Sequence, residues 1–194
     1  MYDASKLLQT AKFQSLGILV PDTILVSKQR LTYLTDTLDT WDYPAILKNC
    51  YAARGNDNYQ VNDISEIEKI LTSNPSAEYV LQKKINGGRD YRILLLGDEH
   101  MVIERTADAD SHLTNTSQGG AARIINTVPE QVVAQAKHAA KSFGLVWTGV
   151  DVMQDSNDKK YYFLEANLQP QLKSGTYSSE KQKLIGKFFA KHVR

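Results

Sequence analysis

Apolar positions recur along the chain in two rhythms: the three-to-four spacing of an amphipathic helix and the alternation of a half-buried strand. Ser5 to Leu16 carries the helical rhythm and stops at Gly17, a residue that tolerates the left-handed backbone just past a helix end. Ile18 to Val26 reads as a strand broken by Pro21, and the Thr-rich stretch from Ser27 to Thr40 as a helix. Tyr43-Pro-Ala-Ile-Leu-Lys48 is strand-like and delivers Lys48 into a polar loop, Asn49 to Asn58. Asp63-Ile-Ser-Glu66 has the form of a capping box opening a helix to Leu71, and Glu78 to Lys83 is a further strand. Tyr91 to Leu96 and Met101 to Arg105 flank Gly97-Asp98-Glu99-His100 as a hairpin; an even-length turn there puts Arg92 and Arg105 on one face, an odd one splits them. Ala107 to Gly120 is polar and aperiodic, a length of loop that compact domains usually reserve for function. A helix from Thr127-Val-Pro-Glu130 to Gly144, two strands, and an amphipathic helix from Glu180 to His192 close the chain. The pattern predicts an α+β fold of antiparallel sheets in two lobes, 1–85 and 86–194, meeting near Ile85 to Arg89.

The last two strands carry the clearest candidate chemistry. Thr148-Gly-Val-Asp151-Val-Met-Gln154 and Tyr161-Tyr-Phe-Leu-Glu165-Ala-Asn167 are joined by the polar turn Asp155-Ser-Asn-Asp-Lys-Lys160. A hairpin centred on Asp158 sets Asp151 opposite Glu165, and Asn167, two residues on, leaves the strand on the same face. Three oxygen-bearing side chains beside Val150, Val152, Phe163 and Leu164 are costly to bury unless something positive joins them. Two carboxylates and an amide suit a hard cation such as magnesium, or manganese in its place, completed by waters and substrate phosphate. Acids at strand ends that simply face water are the competing explanation. If the three oxygens hold a cation, Asp151→Asn and Glu165→Gln are expected to abolish whatever activity needs that cation and to spare the stability of the unliganded protein.

Composition narrows the alternatives. With 194 residues the chain can bury a sizeable core, and Lys plus Arg at 23 against Asp plus Glu at 22 gives no overall pull toward nucleic acid or an anionic membrane. The one cysteine, Cys50, excludes an internal disulfide or a multi-cysteine metal cluster, and fits a reducing, cytoplasmic setting. No apolar run approaches a bilayer span. Phosphate loops of the Gly-x-x-x-x-Gly-Lys type, Gly-x-Gly-x-x-Gly, His-Glu-x-x-His and Gly-x-Ser-x-Gly are all missing, so any phosphates must be held another way.

Val80-Leu-Gln-Lys-Lys-Ile85, Arg89-Asp-Tyr-Arg92, Gly97-Asp98, Ile103-Glu-Arg105, Gly119-Gly-Ala-Ala122, Gly149-Val-Asp151 and Glu165-Ala-Asn167, in that order, resemble the ATP-grasp superfamily and its RimK-type ligases. The resemblance implies an ATP-grasp fold, two α+β lobes clasping a nucleotide, and ATP- and magnesium-dependent joining of a carboxylate to an amine through an acyl phosphate. It implies that Lys6 and Lys48 meet the ATP phosphates, that the backbone of Gln82, Lys83, Lys84 and Ile85 reads the adenine edge, and that Asp90 lies near the ribose. By the same resemblance Thr114 and Asn115 belong to a phosphate-side loop, Asp151, Glu165 and Asn167 hold magnesium, and Arg105 with Arg92 attends the acyl phosphate. Gly119 and Gly120 would let backbone N–H groups approach an anion. For Arg105 the competing role is a cross-strand ion pair with Asp90.

Some positions depart from the family pattern. The loop after Lys48 keeps one glycine, and Arg54 could serve in place of the others; Leu113 stands where RimK-type enzymes have arginine, and Leu168-Gln-Pro-Gln171 replaces a small residue, Pro and Gly. The chain also begins close to where the ATP-grasp core starts, whereas relatives carry a further N-terminal domain on the acceptor side, so a partner chain could replace that domain; an amino acid or peptide is the expected substrate. Two functions stay open: an ATP-dependent carboxylate–amine ligase, and a non-catalytic ATP-binding module that regulates a partner.

Overall fold

A computed structural model describes residues 5–52, 57–87, 89–106, 121–172 and 176–192. The fold is α+β, with two antiparallel sheets and five helices among those residues. The elements run α1 (Lys6–Ser15), β1 (Thr23–Val26), α2 (Leu31–Asp39), β2 (Ala45–Asn49), β3 (Asn58–Val61), α3 (Ile64–Ser73), β4 (Tyr79–Lys83), β5 (Arg89–Leu96), β6 (Glu99–Thr106), β7 (Ala121–Ile125), α4 (Glu130–Phe143), β8 (Trp147–Gln154), β9 (Tyr161–Asn167) and α5 (Ser178–His192). Strands β1-β4-β2-β3 form the smaller sheet and β7-β6-β5-β8-β9 the larger.

One face of the small sheet is a core. Val26, Ala45, Leu47, Val61, Tyr79 and Leu81 pack under Leu38 of α2 and Ile67 and Leu71 of α3. Helix α3 starts where its capping residues place it: the Asp63 carboxylate accepts the Glu66 N–H at 3.0 Å, and Glu66 reaches back to the Asn62 N–H at 2.8 Å. Strand alternation sends the neighbours of the core residues to the opposite face, so Lys48 lies there beside Val80, with Gln82 beside Ile46.

The large sheet is covered on both faces. Ile93, Leu95, Val102, Val150, Val152, Phe163 and Ala166 meet α4 through Val132, Val133, Ala136, Ala139 and Phe143. Phe13 of α1 enters the same core, 5.6 Å edge-on from Phe143 and 5.8 Å from Phe163. Helix α1 thus packs on the large sheet although it precedes the small one in sequence. The other face is divided: Leu94, Leu96 and Ile103 lie under Leu184 of α5, while the residues next along those strands are charged.

The β5–β6 turn has only two residues, Gly97 and Asp98, because pairing runs as far as Leu96 with Glu99. That even length puts Arg105 opposite Asp90, on the same face as Arg92. Strands β3 and β7 are additions to the sequence reading, and β1 is shorter than Ile18 to Val26 suggested, since residues 18–22 form a connection. No helix among the described residues is long and apolar enough to cross a membrane.

Candidate functional site

The charged half of the large sheet is built by register alone. Arg92 pairs with Asp151, and Asp151 with Glu165, across three neighbouring strands, so all three side chains emerge on one face, with Asn167 one step along β9. Past Asp151 the pairing slips by one residue, Val152 meeting Phe163, and this bulge frees the edge strand to twist. Asp151 is nearly buried, and four hydrogen bonds occupy its carboxylate. Arg92 donates from Nε and Nη2 at 2.8 and 2.6 Å, Arg105 from Nη2 at 3.0 Å, and Asn167 from Nδ2 at 3.2 Å. Arg105 also holds Asp90 through two bonds of 2.7 and 2.6 Å. Burial works against the Asp151 anion, but Arg105 and Arg92 outweigh it and keep the carboxyl below its usual range. The same balance keeps Arg92 charged: burial opposes the guanidinium and Asp151 overcomes it.

Two lysines approach this face from the small-sheet side. Lys48 at the end of β2 is pushed down to about 8, first by burial, while Glu165 and Asp151 oppose the shift and Lys6 adds to it. Lys6, in the first turn of α1, is lowered by burial and steadied by Glu165. Its ammonium donates to the carbonyls of Asn49 (3.0 Å) and Ala52, which ties it to the segment following Lys48. One turn along α1, buried Gln9 accepts the N–H of Ala166 at 2.9 Å, between Glu165 and Asn167. One helix therefore positions both a lysine and the carboxylate-bearing strand. Sequence reading missed Gln9, whose only signal is a polar residue on the buried face of an amphipathic helix.

The structure brings together Lys6, Lys48, Asp90, Arg92, Arg105, Asp151, Glu165 and Asn167. The named set has four cations and three carboxylates, and its charge is unbalanced toward an anion. Gln82 is buried and donates from Nε2 to Thr23 Oγ1 at 3.0 Å. Lys83 reaches Asp42 (3.0 Å), and Lys84 donates to Gln60 (2.8 Å), which shares the Lys48 face of the small sheet. Ile85 is buried beyond the last paired residue of β4. Asp90 has both carboxylate oxygens on Arg105, so the cross-strand pair weighed for Arg105 forms alongside its contact with Asp151. Arg54, Leu113, Thr114, Asn115, Gly119 and Gly120 lie outside the described residues.

The donor set fits a hard divalent cation. Glu165 accepts no hydrogen bond from a described residue, and Asn167 spends its NH2 on Asp151 and on the Gly149 carbonyl (3.4 Å), leaving Oδ1 for another partner. Among the described residues no group of three or more His, Cys, Asp or Glu side chains is arranged to hold a metal ion by itself, so a cation here needs the amide oxygen and oxygens from a ligand. Cys50 is buried, and burial raises its thiol to about 11, which removes it as a nucleophile at neutral pH.

The chain has relatives among known proteins. A probable alpha-L-glutamate ligase of Sodalis glossinidius (strain morsitans) is 35% identical over 99 residues, covering 50% of this chain and 32% of that protein. The coenzyme gamma-F420-2:alpha-L-glutamate ligase of Methanococcus maripaludis is 28% identical over 177 residues, 88% of this chain and 60% of its own length. The chain thus spans from about a third to three fifths of these curated relatives. Among solved structures, D-alanine–D-alanine ligase from Bacillus anthracis complexed with ATP superposes with a TM-score of 0.72 at 20% identity, over 94% of this chain and 60% of that one. The ATP-grasp ligase PsnB, complexed with minimal precursor, Mg and ADP, gives 0.68 at 17% identity over 95% and 59%. Because a family model describing the RimK-like ATP-grasp domain matches residues 4–185, the chain belongs to the RimK-like ATP-grasp family.

Proposed function

We propose that this chain is the ATP-binding and catalytic core of a carboxylate–amine ligase, its lobes 1–85 and 86–194 closing on ATP. The observation that carries the reading is the convergence of Lys6 and Lys48 with Arg92, Arg105, Asp151, Glu165 and Asn167, residues contributed by both sheets and α1. In the reaction a substrate carboxylate oxygen attacks the γ-phosphorus of ATP, the bond to ADP breaks, and an acyl phosphate forms. An amine nitrogen then adds to the acyl carbon, loses a proton, and expels phosphate to leave an amide. The physical demand is to neutralise the moving phosphoryl group and to hold the attacking atom in line.

Each residue has a task in that scheme. Lys6 and Lys48 offer compact charges to the phosphates, and Lys6 also fixes the segment after β2 through two carbonyls. Arg92 and Arg105, aligned by Asp151 and Asp90, present guanidinium edges to the acyl phosphate and its tetrahedral successor. Glu165, Asn167 and Asp151 would hold magnesium, which supplies charge neutralisation on the phosphates. The backbone of residues 82–85 reads the base, and an amino acid or peptide is the substrate class that the relatives suggest.

The test is phosphate release from ATP and magnesium over a panel of amino acids and short peptides, compared with Glu165→Gln. Release that needs both a carboxylate and an amine, and that disappears in the variant, supports the ligase. Saturable ATP binding with no release on any mixture refutes it in favour of a regulatory binding module.

A further inference from the structure

The chain passes between the sheets twice, through residues 18–22 and through the linker after β4, and the second passage is held from an unexpected side. The β8–β9 turn, whose sequence reads as an ordinary polar connection, reaches this linker. Asn86 N–H donates to Asp155 Oδ2 at 3.4 Å, and the Asn86 carbonyl accepts the Ser156 N–H at 2.5 Å. Asp155 is only 6% exposed, far below what a turn carboxylate between strands needs. Its other oxygen closes the turn by accepting the Asn157 N–H at 2.6 Å, while its own N–H and C=O engage Lys160 and Lys159. The first passage is fixed similarly: the Lys83 N–H donates to the Asp22 carbonyl and the Phe163 N–H to the Leu19 carbonyl, both at 2.9 Å. The linker is therefore clamped at Lys83 on one side of Lys84 and Ile85, and at Asn86 on the other.

We propose that the β8–β9 turn is a strut and Asp155 a positioning residue, fixing residues 84–86 so that the backbone beside them meets the nucleotide base in one geometry. The inference rests on the reading of residues 82–85 as the base-binding segment. The strut belongs to the same hairpin that carries Asp151 and Glu165, so base and phosphate ends of the cleft are registered against one rigid element. A linker without it must be ordered by each incoming nucleotide, and that ordering subtracts from affinity.

Asp155→Asn isolates the strut. The amide oxygen keeps the closer bond to Asn157, and the NH2 then faces the Asn86 N–H, donor against donor. Asp155→Ser is a second route, since a hydroxyl can close the turn but is too short to reach the linker. Calorimetry with ADP and with pyrophosphate separates the two ends of the cleft. The expected result is an ADP Kd raised roughly three- to tenfold, the worth of about one hydrogen bond, with pyrophosphate affinity unchanged and faster hydrogen exchange at the Asn86 amide. Equal weakening of both ligands, or unchanged ADP affinity, overturns the strut. Wild-type protein that binds no ADP overturns the nucleotide reading itself, a result distinct from any change caused by the variants.

Discussion

If Lys48 meets the ATP phosphates as proposed, the affinity for ATP should depend on pH in a range where few other groups titrate. In the nucleotide-free protein burial brings its ammonium down to about 8, from an ordinary 10.5, in spite of Glu165 and Asp151 nearby. A bound polyphosphate favours the charged form and returns the lysine toward or above its ordinary value. Binding therefore takes up a proton, and the affinity gained from Lys48 is fully present below pH 8 and is lost as pH rises above it. A group with a pKa near 8 is roughly nine tenths protonated at pH 7 and about one tenth at pH 9, so the ATP Kd should rise about tenfold over that interval, or about 1.4 kcal/mol. The terminal phosphate itself, with a second pKa near 6, is already ionised throughout. Titration calorimetry at pH 7, 8 and 9, in buffers of differing ionisation enthalpy, reads both quantities, with proton uptake approaching one per ATP at pH 9. Lys48→Arg serves as the control, because a guanidinium stays charged and its pH profile should be flat. A wild-type Kd that does not change between pH 7 and 9, or binding heat that does not depend on the buffer, refutes the placement of Lys48 at the phosphates.

Other variants separate structure from chemistry. Asp151→Asn removes the counter-charge of the partly buried Arg92, while Arg105 keeps Asp90, and should cost roughly 3 kcal/mol in urea denaturation, whereas Glu165→Gln, which breaks no hydrogen bond to a described residue, should leave the midpoint in place while abolishing phosphate release. Phe13→Ala empties the contact between α1, α4 and β9 and should cost about 3–5 kcal/mol by the same measurement. Gly149→Ala places a methyl group 3.3 Å from Pro170 Cβ and 3.4 Å from Arg92 Cδ, so it should lower kcat while the Kd for ATP, measured by calorimetry, holds. Lys48→Met should raise the melting temperature of the nucleotide-free protein at pH 7, since it removes a desolvated charge, and weaken ATP binding in the same sample.

The stability expected for Asp151 shows where the sequence was legible and where it was not. Hairpin register is a local property, and the opposition of Asp151 and Glu165 followed from the two strands and their turn, with only the bulge beyond them unforeseen. The even turn at Gly97-Asp98 likewise decided that Arg92 and Arg105 share a face. What the strands meet across the sheet is not local. Asp151 was expected to be spare until a cation arrived, because the pairing of β5 with β8 joins residues 59 apart and no motif announces it. The same holds for Gln9 and Ala166, 157 residues apart, and for Asp155 against Asn86. Strands β3 and β7 were missed for a related reason: each is short, follows a polar stretch of sequence, and gains its identity from the neighbour it pairs with.

Those non-local contacts change the chemistry that the residues can perform. Two arginines on one carboxylate make a site that is internally compensated without a ligand, with Lys6, Lys48 and Glu165 the less completely paired of its described residues. A phosphoryl group entering the site competes with Asp151 for Arg92 and Arg105, and whatever bonding it draws from them frees carboxylate lone pairs that a divalent cation can use. Anion and cation should then bind with positive coupling, each weak alone. Manganese binding followed by electron paramagnetic resonance provides the check: it should be at least tenfold tighter with ADP present than without, and equal affinity in the two conditions would mean that Asp151 remains on its arginines throughout.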